Sequence, residues 1–347
     1  MGSAPEIEAV VGNVTAARGF LAGGDRCGLK ESGRKDVGGI VSERPATAAG
    51  TFTTNKVKAA PVLLCQEVLG ALSRSGGHAR GIVFNSGNAN AMTGAPGLED
   101  ARRMQAAFAA GPGAAHGVRP EEVFVASTGV IGVPLDMDKL APGIRALTLS
   151  REGGPSAVEA MMTTDTVPKT GAARFVVDGM TVTVAGMAKG AAMIAPHMAT
   201  MLAFVGTDAA VAPAYLQRAL QAAVEDSFNM IVVDGDMSTN DTTLLLANGA
   251  AWPAGRPPLD ETDDTAEETG GSAPVRQAFE AALRHVCLRL AQGMARDGEG
   301  ATKFFAVRVR GAASVADARQ VARSIAGSNL LKAAVLGADP NWGRIAC

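Results

Sequence analysis

Short apolar runs rich in Val, Ile and Phe alternate with alanine-rich stretches of helical period, and this alternation most narrows the fold. Strands buried on both faces and helices with one apolar stripe each need a covering layer, so the pattern calls for a mixed α/β protein. Strands are predicted at residues 81–84, 123–126, 174–177, 181–185, 201–205, 230–233 and 304–309. Asp178 and Gly179, between two alternating runs, are a hairpin turn signal. A helix is predicted over residues 274–296, where Val275, Phe279, Leu283, Val286, Leu290 and Met294 recur at spacings of three and four. A second is expected over residues 213–226, with Pro213 near its start, where a missing N–H costs nothing. A third should begin behind a Ser314 cap and carry Val315, Val321 and Ile325.

Residues 190–206, GAAMIAPHMATMLAFVG, are nearly apolar throughout but carry Pro196 and His197 at their centre. A spanning helix wants about 20 continuous apolar residues, so this segment reads as a buried loop entering a buried strand rather than a membrane span. A formal net charge of −2 and 4% aromatic residues offer neither a basic face nor stacking rings to nucleic acid. Cys27, Cys65, Cys287 and Cys347 are widely spaced and form no metal or disulfide pattern, which points to a reducing cytoplasm. The four histidines show no metal-binding spacing, and no metal is expected. Residues 253–271, PAGRPPLDETDDTAEETGG, are acidic and almost free of apolar side chains, the composition of a mobile surface loop.

Phosphate-loop matching fails at residues 28–35, GLKESGRK, which place Arg34 and Lys35 where lysine and a hydroxyl are required. What remains is a set of six small polar clusters beside apolar strands: NSGNANA (85–91), STGVIG (127–132), TTDTVPK (163–169), KGAAMIAPHMATML (189–202), DGDMSTNDT (234–242) and DGEGATK (297–303). Any one alone reads as a turn. Six together suit a site built from loops on a rigid sheet.

KGAAMIAPHMATML, with STGVIG before it and RDGEGATK and GADPNWGR after it, closely resembles the ornithine acetyltransferase (ArgJ) family; NSGNANA, TTDT and AAGTFTTNKVKAAPV fit as well. The resemblance runs from about Gly19 to Arg344 and implies a layered α/β/β/α sandwich of the DmpA/ArgJ type, with a threonine nucleophile at a strand start. It implies self-cleavage between Ala199 and Thr200, giving an α chain of residues 1–199 and a β chain of residues 200–347 that assemble as an α2β2 heterotetramer. The implied reaction carries an acetyl group from N2-acetylornithine to glutamate through an acetyl-threonine on Thr200, with acetyl-CoA left open as a second donor and no other cofactor. Thr128 and Gly129 match the family's oxyanion site, and Thr163, Lys189, Thr200 and Glu299 match its substrate contacts. The chain stops at GADPNWGRIAC, where family members continue for some tens of residues, so two polar contacts from that tail cannot be assigned and weaker substrate binding is expected. Two other readings stay open on sequence alone: a threonine-nucleophile amidohydrolase or aminopeptidase, and an inactive truncated paralogue.

Overall fold

The computed structural model describes residues 6–177, 179–194, 201–260 and 272–347. In chain order the strands are β1 (Glu8–Val10), β2 (Phe20–Asp25), β3 (Val37–Phe52), β4 (Ala79–Asn88), β5 (Val123–Val130), β6 (Lys169–Val177), β7 (Met180–Lys189), β8 (Leu202–Thr207) and β9 (Thr242–Ala247). The helices are α1 (Ala60–Ser75), α2 (Gly94–Ala110), α3 (Met137–Ala146), α4 (Gly154–Met161), α5 (Pro213–Glu225), α6 (Ser272–Arg296), α7 (Val315–Gly327), α8 (Asn329–Leu336) and α9 (Gly343–Ala346).

The 16-residue β3 belongs to two sheets. Its first half pairs antiparallel with β2 and β4, and its second half, from Thr47, pairs antiparallel with β9. Between the halves the register breaks, and Glu43, Arg44 and Pro45 lie exposed at the crossing; proline has no N–H to give a ladder, so it is tolerated there. One sheet therefore runs β1-β6-β7-β8-β9-β3 and the other β2-β3-β4-β5.

In β8 and β9, at the middle of the first sheet, side chains are buried on both faces. From β8 and β9, Leu202, Phe204, Leu244 and Leu246 enter the core shared with the second sheet, where Phe84 and Phe204 bring their rings to 5.3 Å. Ala203, Val205, Leu245 and Ala247 face the other way into a core completed by Tyr215 and Leu216 of α5 and Phe279, Leu283 and Leu290 of α6. Helices α1, α2 and α3 cover the outer side of the second sheet. Phe108 of α2 lies so close to the strands that a Cβ on Gly39 or Gly81 would come within 2.6 Å of its ring. The layers are thus helix, sheet, sheet, helix, as expected.

The predicted stripe of α6 is buried at every position named. Ser314 caps α7 by accepting the N–H of Asp317 at 3.1 Å, but Val315 and Val321 are exposed and Ala322 is the buried residue. The hairpin forms, with Val177 paired to Met180 and Gly179 at φ +74; Asp178 lies outside the described residues, as do Pro196, His197 and most of the acidic loop.

Two predicted strands are corrected. Residues 230–233 pair with no described strand; Ile231 and Val233 pack on the α6 core, and Val233 N–H donates instead to the Ile194 carbonyl at 2.8 Å. Residues 304–309 keep an alternating exposure, with Phe305, Val307 and Val309 half-buried, but pair with no described strand. Alternation needs only one covered face, whereas a strand also needs a hydrogen-bonding neighbour. No helix among the described residues is long and apolar enough to cross a membrane, and residues 202–206 of the apolar stretch lie in β8.

Candidate active site

The sequence clusters meet at one end of the two sheets. Lys169 opens β6, Lys189 closes β7, Leu202 opens β8 and Thr242 opens β9, and antiparallel or parallel pairing sets these four ends side by side. The second sheet brings the ends of β4 and β5 to the same place. Asn240 fastens the two sheets there by donating its Nδ2 to the carbonyls of Ala89 at 2.6 Å and Ser127 at 2.9 Å.

A cavity of about 740 Å³ opens at this junction, and its walls hold Thr128, Gly129, Thr163, Lys189 and Glu299 together. Thr128 and Gly129 lie among the last three residues of β5. Gly129 has φ +137, and a Cβ there would lie 2.3 Å from the carbonyl carbon of Gly87, so only glycine fits. Thr163 precedes β6, with its N–H bound by Asp165 at 3.0 Å. Glu299 follows α6 and is set in place by its own N–H, which donates to the Ala191 carbonyl at 2.8 Å. Ala199 and Thr200 lie outside the described residues. The next residue, Met201, is buried, and its N–H donates to Oδ1 of Asp241 at 3.0 Å.

Lys189 is 2% exposed and donates from Nζ to the hydroxyl oxygen of Thr128 at 3.2 Å. Burial pulls its pKa below the ordinary lysine value, while the charges of Asp165 and Asp241 pull the other way. With one lone pair of the Thr128 oxygen occupied, the hydroxyl proton is free to donate into the cavity. The arrangement sets a hydroxyl beside a backbone turn at the cavity wall.

Behind this wall stands an ionic cluster that sequence reading did not single out. Lys169 Nζ is held between the carboxylates of Asp165 and Asp297, and all three side chains are at most 6% exposed. Asp165 also accepts the N–H of Gly190 at 2.7 Å, and Asp297 that of Thr166 at 2.9 Å. Burial pushes the Asp165 carboxyl up, but Lys189, Lys169 and these hydrogen bonds outweigh it and hold its pKa below the usual range. Asp297 is lowered in the same way, burial being outweighed by Lys169 and Thr166. Asp241 goes the other way: burial raises its pKa well above the usual range, and its Oδ2 has no partner among the described residues. All four residues sit inside clusters the sequence marked, but nothing in the sequence distinguishes them from turn residues.

Residues 21–347 match the ArgJ family. The chain is 53% identical over 343 residues to the Arginine biosynthesis bifunctional protein ArgJ of Symbiobacterium thermophilum, covering 98% of this chain and 80% of that protein. It is 44% identical over 343 residues to the protein of the same name from Bacillus subtilis, covering 99% of this chain and 79% of that one. The crystal structure of Arginine biosynthesis bifunctional protein argJ from Bacillus halodurans superposes with a TM-score of 0.50 at 42% identity, over 56% of this chain and 98% of that one.

Proposed function

The chain belongs to the ArgJ family, and from that premise we infer that it is an acyltransferase of arginine biosynthesis, moving an acetyl group from N2-acetylornithine to glutamate. The observation that carries this reading is the convergence of Thr128, Gly129, Thr163, Lys189 and Glu299 on one cavity, beside the strand that follows Thr200. The relatives are named bifunctional; the second activity we assign is N-acetylglutamate synthesis with acetyl-CoA as donor, and no other cofactor enters the scheme.

In our reading the precursor first cuts itself. The Thr200 hydroxyl attacks the Ala199 carbonyl, the acyl group shifts from nitrogen to oxygen, and water cleaves the ester. This leaves a carboxylate on Ala199 and a free α-amine on Thr200, dividing the chain into residues 1–199 and 200–347. A threonine hydroxyl is a weak nucleophile without a base. The new amine, which titrates near about 7.7–8.0, takes the hydroxyl proton as the oxygen attacks the acetyl carbonyl. The resulting oxyanion is met by the Thr128 hydroxyl and Gly129, the proton passes to the departing ornithine nitrogen, and the acetyl group stays on Thr200. The amine of glutamate then attacks this ester and leaves as N-acetylglutamate. Lys189 suits a substrate carboxylate, and Glu299 suits the ornithine ammonium or the proton at its leaving nitrogen. Thr163 completes the substrate wall. We place this chemistry in the cytoplasm, in an α2β2 assembly of cleaved precursors.

Ornithine release from N2-acetylornithine, measured with and without glutamate, tests the transfer: release that ignores glutamate would mark a hydrolase instead. Intact mass tests the cleavage, which predicts two fragments meeting between Ala199 and Thr200 and a Thr200→Ala variant that stays whole.

A further inference from the structure

The loop of residues 27–36 carries cations that the scheme above leaves unused. Asp36 is fully buried, and its carboxylate accepts four main-chain N–H groups, from Cys27 at 2.6 Å, Gly28 at 3.1 Å, Leu29 at 2.7 Å and Lys30 at 2.9 Å. Such a ring of donors resembles a phosphate cradle, but here the anion is the chain's own. The loop is therefore closed to phosphate at its backbone and held rigid by an internal carboxylate, and it meets the solvent with side chains.

Three of those side chains, Lys30, Glu31 and Arg34, line the same cavity as Thr128 and Lys189. The stem of Lys30 lies on Gly87, where a Cβ would come within 3.2 Å of Lys30 Cγ. Gly87 is the register partner of Gly129, so the loop abuts the oxyanion turn directly. Lys30 Nζ donates to the carbonyls of Lys35 at 2.8 Å and Met162 at 2.7 Å, which fixes the ammonium and leaves one of its three donors. Burial brings its pKa down to about 8, helped by Arg34 and opposed by Asp36, so it remains an ammonium at neutral pH. Arg34 is exposed and forms no ion pair with any described residue, whereas its neighbour Lys35 is paired with Glu159 at 2.8 Å.

The two amino acids that exchange the acetyl group differ at the far end of the side chain. Ornithine ends in an ammonium and glutamate in a carboxylate, yet one cavity serves both. Lys189 can meet one carboxylate and Glu299 the ammonium; the second carboxylate of glutamate needs a further cation. We propose that Lys30 and Arg34 form the subsite that reads the side-chain carboxylate of the acceptor, so that selection of glutamate over neutral acceptors resides in the loop built on Asp36. An arginine fork suits a carboxylate bidentately. The assignment rests on the acetyl-transfer reading above.

The test compares acetyl transfer from N2-acetylornithine to glutamate and to glutamine, its neutral isostere, in the wild-type protein, Arg34→Gln and Lys30→Met. Loss of one charge-assisted contact should lower the ratio of kcat/KM for glutamate over glutamine roughly tenfold, and Arg34→Glu should lower it further. Damage to the fold depresses both acceptors alike and leaves the ratio untouched. Lys30→Met also releases two backbone carbonyls, so Arg34→Gln, at an exposed position, is the decisive variant. An unchanged ratio in Arg34→Gln, with a wild type that transfers to glutamate, would overturn the subsite alone. A wild type that transfers to neither acceptor would overturn the acetyl-transfer reading and the subsite with it.

Discussion

Met201 gives its backbone N–H to Asp241 at 3.0 Å, across a sequence separation of 40 residues. This bond ties the start of β8 to the start of β9 immediately after Thr200, so the position of the proposed nucleophile depends on a carboxyl that burial strongly disfavours as an anion.

Asp241 should therefore shape how stability changes as pH rises above the ordinary carboxylate range. Its folded pKa is raised, so its contribution is whole below the ordinary carboxylate range, about pH 4, and drains away as pH climbs towards the folded value. Asp241→Asn keeps an acceptor for Met201 and cannot ionise, so its melting temperature should vary less than wild type between about pH 4 and 8. Asp241→Ala leaves a buried N–H unpaired and should cost about 1–3 kcal/mol at every pH. Thermal melts across pH check both; an Asn variant that tracks the wild-type curve would contradict the assignment.

Thr128→Val removes the hydroxyl that accepts from Lys189 while keeping the shape. Loss of the proposed oxyanion donor should slow the acetyl-transfer step by about 10²–10³-fold, and the buried Lys189 amine left without this partner should cost about 1–3 kcal/mol. Thr128→Ser should recover most of both. Single-turnover ornithine release and urea titration separate the two effects.

The cluster of Lys169, Asp165 and Asp297 predicts an acid limb. Both carboxyl pKa values are lowered in the fold, so their stabilisation is present above the ordinary carboxylate range and is lost as pH falls through the lowered values. Lys169→Met strands two carboxylates in the interior and should cost about 3–5 kcal/mol. Asp297→Ala leaves Lys169 with Asp165 and should cost less. Equal costs in the two variants, measured by urea denaturation at neutral pH, would mean the cluster does not act as a unit.

Gly129→Ala meets the backbone of Gly87 at 2.3 Å with φ +137. Neither backbone can retreat without moving the β4–β5 pairing, so the variant should lose activity by more than about 100-fold even where it folds. Circular dichroism with ornithine release checks this, and near-normal turnover would remove Gly129 from the site.

Much of the fold was legible because its signals are local. The stripe of α6 repeats within one helix, and the runs around Phe84, Val125 and Phe204 are short, apolar and bounded by turns. The long β3 was not predicted, because Ser42, Glu43, Arg44 and Pro45 interrupt its apolar content at the point where it changes sheets. At the site, the clusters containing Thr128, Thr163, Lys189 and Glu299 could be marked by residue type, and the family resemblance singled out those four residues. The buried carboxylates around the site could not. Asp36, Asp165, Asp241 and Asp297 look like any aspartate in a polar turn. Partners such as Lys169 and Asp297, 128 residues apart, meet only after the sheets assemble.

The sheet that carries the site is woven from both sides of position 200. Strands β3, β6 and β7 come before it, β8 and β9 after it, and β8 and β9 are each flanked by a strand from the earlier part, β7 and β3. A cut between Ala199 and Thr200 would thus leave a nick in a single weave, not a hinge between parts. The first sheet is complete in neither product, so the cleavage proposed above predicts an order for maturation, folding first and scission second. Two halves supplied by separate genes would each emerge as an open edge in search of the other.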